Sequence, residues 1–499
     1  MKIYDPQVRV RLIKTIGRAA SSFTPAGNPA NGTAVTGNRK QLNIIDLSPF
    51  LGEGTSIKTK NSVRDISGTF SLVLNDRMDS TSKDSIYASI EPMDIIEISM
   101  SNTPYEYPTK KPPVIMRGFV SAVNRNTTIG QDGKPSRHVT VTGEDYGKLF
   151  KIFQIYYLNN AAMGEFHLTP FDFFKKYGTN GMTSLESVDQ FLHAFLNRVI
   201  NPYLRFFSYT DGIKTEGIPF VFTPLFSLTG TISPFRLMSF ADVNLERMLE
   251  ELLDIGPFNE LFVEDQDDKT YLVARPAPLL KAAHNDVIQY VQTGAKADFI
   301  DIYGYDLQSI SEGRSDRGIA NFYWVQSAEW ALIEDMNMKL QAQAPSSVDS
   351  MLKLDYPNCS LKRYNIRRMS VKKSMGPVGV ISSTGNGTPE EKRQASLLGS
   401  DYFDKCRKIL AESNKDNVVF ESGSMRLRGN EKIKAGRYLR LKRGEKTASL
   451  YYAVSVEHEY VPYVGYSTTV NYERGTGFID RISRETSPYL GENNLEGFA

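Results

Sequence analysis

Two widely separated stretches of this 499-residue chain alternate apolar and polar residues with a period of two, and neither has a helical repeat between its strands. In the first, from Lys40 to Phe150, Ile66, Phe70, Leu72 and Leu74 are expected on one face and Thr69 and Ser71 on the other. Ile96, Ile98 and Met100 likewise alternate with Glu97 and Ser99. Val114 to Val123, a polar turn around Gly130 to Gly133, and His138 to Thr142 read as a hairpin that buries Val139 and Val141. In the second stretch, Val418 to Gly477, Met425 and Leu427 alternate with Arg426 and Arg428. Leu439 and Leu441 alternate with Arg440 and Lys442, and Leu450, Tyr452, Val454 and Val456 with Tyr451, Ala453 and Ser455, with Val470 and Tyr472 completing the set. Half-buried strands with no intervening helices imply an antiparallel barrel or sandwich for the first stretch and a closed or nearly closed sheet for the second.

Between them the period changes. Leu185, Val188, Leu192, Phe195 and Val199 predict a helix ending at Asn201-Pro202, and Leu245, Met248, Leu249 and Leu252 a second ending at Gly256-Pro257. The segment Tyr203 to Phe240, rich in phenylalanine and interrupted by Pro219, Pro224 and Pro234, reads as an irregular core lining or a subunit interface. Phe258 to Val263 and Thr270 to Ala274 predict a hairpin, with further strands at Phe299 to Ile310 and Asn321 to Val325. Thr388-Pro389-Glu390-Glu391 is a helix start, with Ala395, Leu398, Tyr402 and Ile409 as the apolar face of a helix running to Glu412.

The fold class is therefore α+β and mainly β. Its units are an N-terminal strand and flexible arm (1–39), a first β domain (40–150), a mixed α/β middle domain (151–285), a second mixed segment and linker (286–387), a helix with a second β domain (388–480), and a tail (481–499). Three segment pairs hint at duplication of the β domain: IEPMDIIEISM with IKAGRYLRLKR, FVSAVNRN with AVSVEHEY, and RHVTVTGEDYG with STTVNYERGTG. Convergence of generic strand patterning explains the same similarity.

Chemistry is harder to find. His138, His167, His193, His284 and His458 are scattered, with no pair at metal-ligand spacing, and neither a phosphate-binding glycine loop nor a nucleophile elbow occurs. No catalytic, cofactor-binding or metal-binding residue is assigned, and the chain is expected not to be an enzyme. Glu264, Asp265, Asp267 and Asp268 lack the glycine and terminal glutamate of a calcium loop and read as a solvated hairpin tip. Cys359 and Cys406 are too few for a disulfide framework, so folding in a reducing compartment is expected; no signal peptide or membrane-spanning run is present, so no membrane insertion is expected. The 59 Lys plus Arg nearly balance the 57 Asp plus Glu, which argues against a general nucleic-acid coat, yet residues 351–499 hold 25 basic against 17 acidic residues. Arg426, Arg428, Arg440 and Lys442 are expected together on one strand face, either as a solvated exterior or as an interaction face for an acidic partner or for passing DNA.

The C-terminal run carries a more specific signal. From Gly423 to Gly475 the chain resembles phage baseplate-hub proteins, through Gly429, Gly436, Tyr452, Val456, His458, Thr468, Thr469, Arg474 and Gly475. VRDISGTFSLVL, EPMDIIEISM, IMRGFVSAV and VTVTGEDYGKLF are similar to that family's first tube-like domain. FNELFVEDQDDKTYLVARPAP is similar to its middle strands, and GRSDRGIANFYWV to its linker. The resemblance implies two tail-tube-like antiparallel β-barrel domains per chain and a homotrimer whose six barrels match a sixfold tail tube or tube-initiator protein above. It implies a threefold central spike below, baseplate wedge or other tail proteins around, and phage DNA passing through the lumen without sequence-specific binding. The implied location is the virion tail, assembled in the host bacterial cytoplasm. The arm before Lys40 and the tail Arg481 to Ala499 depart from the pattern and suit a clamp onto a neighbour. Two other readings stand beside this one: a tail-tip hub of a noncontractile tail, and a tail-associated peptidoglycan hydrolase.

Overall fold

The computed structural model describes residues 5–14, 44–77, 85–107, 111–129, 135–155, 186–207, 221–232, 243–281, 289–327, 357–376, 389–442 and 448–475. The arm, the Gly130–Gly133 turn, Leu185, His167, His284, most of the Phe-rich segment, the glycine run after Gly376, Thr388 and the C-terminal tail lie outside them.

The period-two segments form strands, but they join one sheet of 13 strands instead of two separate ones. The first half contributes β1 (Gln7–Ile13), β2 (Ser56–Ser62), β3 (Thr69–Asn75), β4 (Ile95–Ser101), β5 (Val114–Ile129) and β6 (Pro135–Asp145), together with the short strand Ile44–Asp46, which pairs with β1 at the sheet's end. A hairpin of the middle region supplies β7 (Asn259–Asp265) and β8 (Thr270–Pro276), outside that sheet. The second half contributes β9 (Phe299–Tyr303), β10 (Leu307–Gly313), β11 (Glu421–Arg428), β12 (Tyr438–Lys442), β13 (Ala448–Val461) and β14 (Gly465–Gly475). The strands at 299–313, read from sequence as part of a separate mixed segment, thus belong to the C-terminal sheet.

Six strands of each half share one order position by position, β2-β3-β6-β5-β4-β1 in the first and β10-β11-β14-β13-β12-β9 in the second; the first half adds Ile44–Asp46 beyond β1. All these neighbours are antiparallel except β9 and β12, which run parallel. No closed barrel exists among the described residues: each half is an open run of strands, and the two are joined where β2 pairs with β13.

Alternation predicts β3 correctly, with Phe70, Leu72 and Leu74 buried and Thr69 exposed. It fails for β4, in which every residue is buried, Glu97 and Ser99 included. One face packs Ile96, Ile98 and Met100 into the first half's own core, while Ile95 joins a second core that the middle region lays across the sheet. There α1 (Val188–Phe195) and α2 (Leu245–Leu252) bring Phe191, Phe195, Met248 and Leu249 against Phe119, Tyr146 and Phe150. The polar face of β4 is therefore present but turned to protein, Glu97 to Arg117 and Ser101 to Glu431.

The helix begun by α1 does not stop at Asn201-Pro202. It passes through a π-helical turn, Leu196–Ile200, into Asn201–Phe207, and Pro202, which has no N–H to donate, follows directly on that widened turn. Asn201 pins it, donating from Nδ2 to the Phe222 carbonyl and accepting the Phe222 N–H at 2.8 Å. Phe222–Phe226 itself is a strand parallel to β8, so that part of the Phe-rich segment is regular. The helix α3 (Pro389–Asn414) forms as expected but buries Phe403, Cys406 and Leu410, while Leu398 is exposed and Tyr402 and Ile409 are only half-buried. Cys359 and Cys406 are buried free thiols, and no described helix is long and apolar enough to cross a membrane.

Candidate assembly interface

The duplication is most exact at the turn entering β4 and its counterpart entering β12. Met93 has φ 72° and Gly436 φ 79°, both left-handed. The Met93 N–H donates to the Val120 carbonyl (2.9 Å) and the Val120 N–H to the Asp94 carbonyl (2.8 Å). In the second half the Gly436 N–H donates to Ala453 (2.8 Å) and the Ala453 N–H to Arg437 (3.0 Å). Immediately beyond, both long strands bulge, between Val120 and Ala122 on β5 and between Ala453 and Ser455 on β13. Val120 therefore corresponds to Ala453, one residue away from the alignment of FVSAVNRN with AVSVEHEY, and a one-residue slip changes which face every side chain takes. Counting onward from the turn, Glu97 corresponds to Arg440. Glu97 stands opposite Arg11 on β1 and accepts from its Nε at 2.8 Å, whereas Arg440 stands opposite Asp301 on β9 and donates to it at 2.6 Å. The same site thus holds an ion pair with its charges exchanged.

The halves are stitched along one edge of β13. Its first part pairs with β12, from Ala448 opposite Lys442 to Tyr452 opposite Tyr438. Its second part pairs with β2, from Ser455 opposite Ser62 to Tyr460 opposite Ile57. Lys58 and Glu459 form an ion pair at 2.9 Å across this seam, and Arg426 reaches the same carboxylate at 3.2 Å. His458 lies buried on the seam. Its Nε2 meets the Ile433 carbonyl at 3.2 Å and its Nδ1 the Tyr466 hydroxyl at 2.7 Å, which places the proton on Nε2. Burial lowers its pKa to about 4, so the imidazole is neutral.

The β7–β8 hairpin locks both halves. The turn itself, Gln266 to Lys269, is exposed as expected for a solvated tip, but Glu264 and Asp265 at the end of β7 are buried. Asp265 accepts the backbone N–H of Arg117 and the Thr270 hydroxyl, and Asp267 accepts the Val114 N–H at 2.8 Å. Arg117, wholly buried on β5, bonds Glu97 at 2.9 Å and the carbonyls of Gln266 and Asp267. On the other side Lys434 and Arg437 hold Glu264 at 3.4 and 3.2 Å. Burial opposes its ionisation, but the two cations more than offset this and its pKa falls. Arg275 bridges Glu260 (2.9 Å) to the Gly436 carbonyl (2.6 Å). Behind the tip, burial pushes Asp145 up to about 8, while it accepts the N–H groups of Gly68 and Gly147.

The basic residues singled out from sequence do not form one cluster. Arg426 and Arg428 lie on β11 and Arg440 and Lys442 on β12. Through the ladder Arg426 stands in line with Glu457, by way of Thr469, and Arg440 with Leu450. Those two positions on β13 are roughly 23 Å apart at about 3.3 Å per residue. Arg440 and Lys442 each bond Asp301 at 2.6 Å, holding its carboxyl down at about 2. The residues that join the halves, Arg117, Glu97, Asp265 and His458, were not assigned from sequence. Within the acidic run 264–268 nothing local distinguishes the covered Glu264 and Asp265 from the exposed Asp267 and Asp268.

No protein-family model matches the chain, and no curated protein matches it. Among solved structures it is similar to a tail protein of Neisseria meningitidis MC58, at 7% identity and a TM-score of 0.40 over 94% of this chain and 97% of that one. It is also similar to the 43 kDa tail protein of prophage MuSo2 from Shewanella oneidensis (9% identity, TM-score 0.38, 86% and 93% covered). A third is a prophage tail protein of Listeria monocytogenes EGD-e (9%, 0.37, 86% and 91%). Likeness at such scores is too remote to bear on function.

Proposed function

We propose that this protein is a structural, non-enzymatic hub of a phage-type tail, a homotrimer that adapts a sixfold tube to a threefold spike. The observation that supports this is the repeated six-strand order, with matching left-handed turns and matching bulges, joined into one sheet within one chain. A chain carrying two equivalent units lets three copies present six, and this is what an adaptor between sixfold and threefold bodies requires. The work is geometric. Buried ion pairs across the hairpin fix the angle between the two units, so that copies joined by the same angle can close. DNA passes the ring without base-specific contacts, and tail neighbours meet its rim.

Light scattering on the purified chain tests the reading: a mass of three chains is expected, and a stable monomer at micromolar concentration contradicts it. A clearing assay on purified cell wall tests the non-enzymatic part. No turnover is expected, and lysis abolished by a single carboxylate substitution overturns it.

A further inference from the structure

The internal seam between β2 and β13 joins one unit to the next, and the duplication specifies what its second half would be. In the correspondence set by the bulges and ladders, Ser455 matches Ala122 and Ser71 matches Ser424. Lys58, opposite Ser71, then matches Ser311, opposite Ser424. The counterpart of β2 is thus β10, and the counterpart of the seam portion of β13 is the part of β5 from Ala122 to Thr127. Neither has its seam partner among the described residues. There β10 is a terminal strand of the sheet, pairing with β11 alone, and β5 beyond its bulge pairs with β6 alone. Both segments are largely exposed, from Gln308 to Gly313 except Ile310 and from Asn124 to Ile129. Long bare strand edges template pairing with another chain.

We infer that β10 of one copy pairs antiparallel with Ala122–Thr127 of a second copy, in the register of the internal seam. This rests on the multi-copy reading proposed above and adds the contact and its register. The mapping sets Ser311 opposite Asn126, where the seam has Lys58 opposite Glu459, and Glu312 opposite Arg125, where it has Thr59 opposite His458. The second pair brings opposite charges face to face. Arg125 already bonds Asp76 at 2.6 Å and Glu312 accepts the Tyr451 hydroxyl at 2.7 Å, so each side chain is held on its strand before a second copy arrives. The contact is heterologous, with different surfaces on the two partners, and a heterologous contact repeated at a closing angle gives a ring.

The test is a cysteine pair, Asn126→Cys with Ser311→Cys, in the full chain, where the native thiols are buried. Directly opposed strand positions bring Cβ atoms within disulfide reach, whereas a two-residue offset does not. Oxidation is expected to give a ladder ending at three chains on a non-reducing gel, at least tenfold more than the offset pair Asn124→Cys with Ser311→Cys, while either single variant stays unlinked. Hydrogen exchange on the unsubstituted protein reads the same contact without mutation, as protection of amides in 307–313 and 122–127 that is lost on dilution to monomer. A particle of three-chain mass with no bridge and no protection, or with the offset pair bridging as well, overturns this pairing and leaves the trimer standing. A protein that is monomeric at all concentrations overturns both.

Discussion

Met93 and Gly436 hold the same left-handed turn in the two halves of the molecule, one with a side chain and the other without. The difference has a local cause. A Cβ on Gly436 would stand 2.5 Å from Arg275 Nη2 and 3.0 Å from Val63 Cγ1, because the hairpin and the seam both crowd that turn. Gly436→Ala is expected to lower stability by about 2–3 kcal/mol through strain and displacement of Arg275. Met93→Gly should change it by less than about 1 kcal/mol, since relief of backbone strain offsets the lost packing of a half-buried side chain. Denaturant midpoints of the two variants check the asymmetry, and equal losses would contradict crowding at Gly436 as its cause.

Arg117 reaches both Glu97 and Asp265 at the hairpin tip, whereas Arg11 pairs with Glu97 and Lys434 meets the Asp265 backbone carbonyl. Arg117→Met strands buried carboxylates, and a loss of about 3–5 kcal/mol is expected. Arg117→Lys should not restore it, because the fork also serves two carbonyls. Adding Glu97→Gln and Asp265→Asn to Arg117→Met should recover part of the loss, as thermal melts would show.

His458 makes the seam sensitive to acid. Its folded pKa of about 4 lies below the ordinary value of 6.5, so between those two pH values the unfolded chain binds a proton that the folded chain refuses. Stability from this residue is complete above pH 6.5 and is lost as pH falls toward 4, by up to about 3 kcal/mol. His458→Gln should remove that slope. The comparison requires denaturation curves of both proteins at several pH values from about 4 to 7, and identical slopes would place the acid sensitivity elsewhere.

The Asp301 pair sits nearer to solvent, with side chains 29–39% exposed. Arg440→Gln or Lys442→Gln should each cost less than about 1 kcal/mol, an effect that shrinks in high salt. Calorimetry in low and high salt distinguishes this from a structural role, which would cost more than about 2 kcal/mol regardless of salt.

Much of the sheet was legible because strands covered on one side declare themselves: Phe70, Leu72 and Leu74 alternate with partly exposed partners. β4 was legible as a strand but not as a buried one, since Ile95 is covered by the middle region's core, Glu97 by Arg117, and Ser101 by Glu431, far along the chain. The duplication was visible in three short segments, yet the pairing of FVSAVNRN with AVSVEHEY was one residue off, because a bulge changes register without leaving a mark in composition. Arg426 and Arg440 looked alike in sequence, and only the ladder shows them at distant places on β13. The acidic run 264–268 divides for a related reason: Asp267 and Asp268 face solvent as their polarity suggests, while Glu264 and Asp265 are just as polar yet are met by Lys434, Arg437 and Arg117.

Single-particle images of the purified protein, averaged without imposed symmetry, bear most directly on whether one chain supplies two equivalent units of a ring. The account predicts an annulus of six similar lobes around an open centre, alternating in fine detail with threefold symmetry. Three lobes, an open filament, or isolated single chains would contradict it.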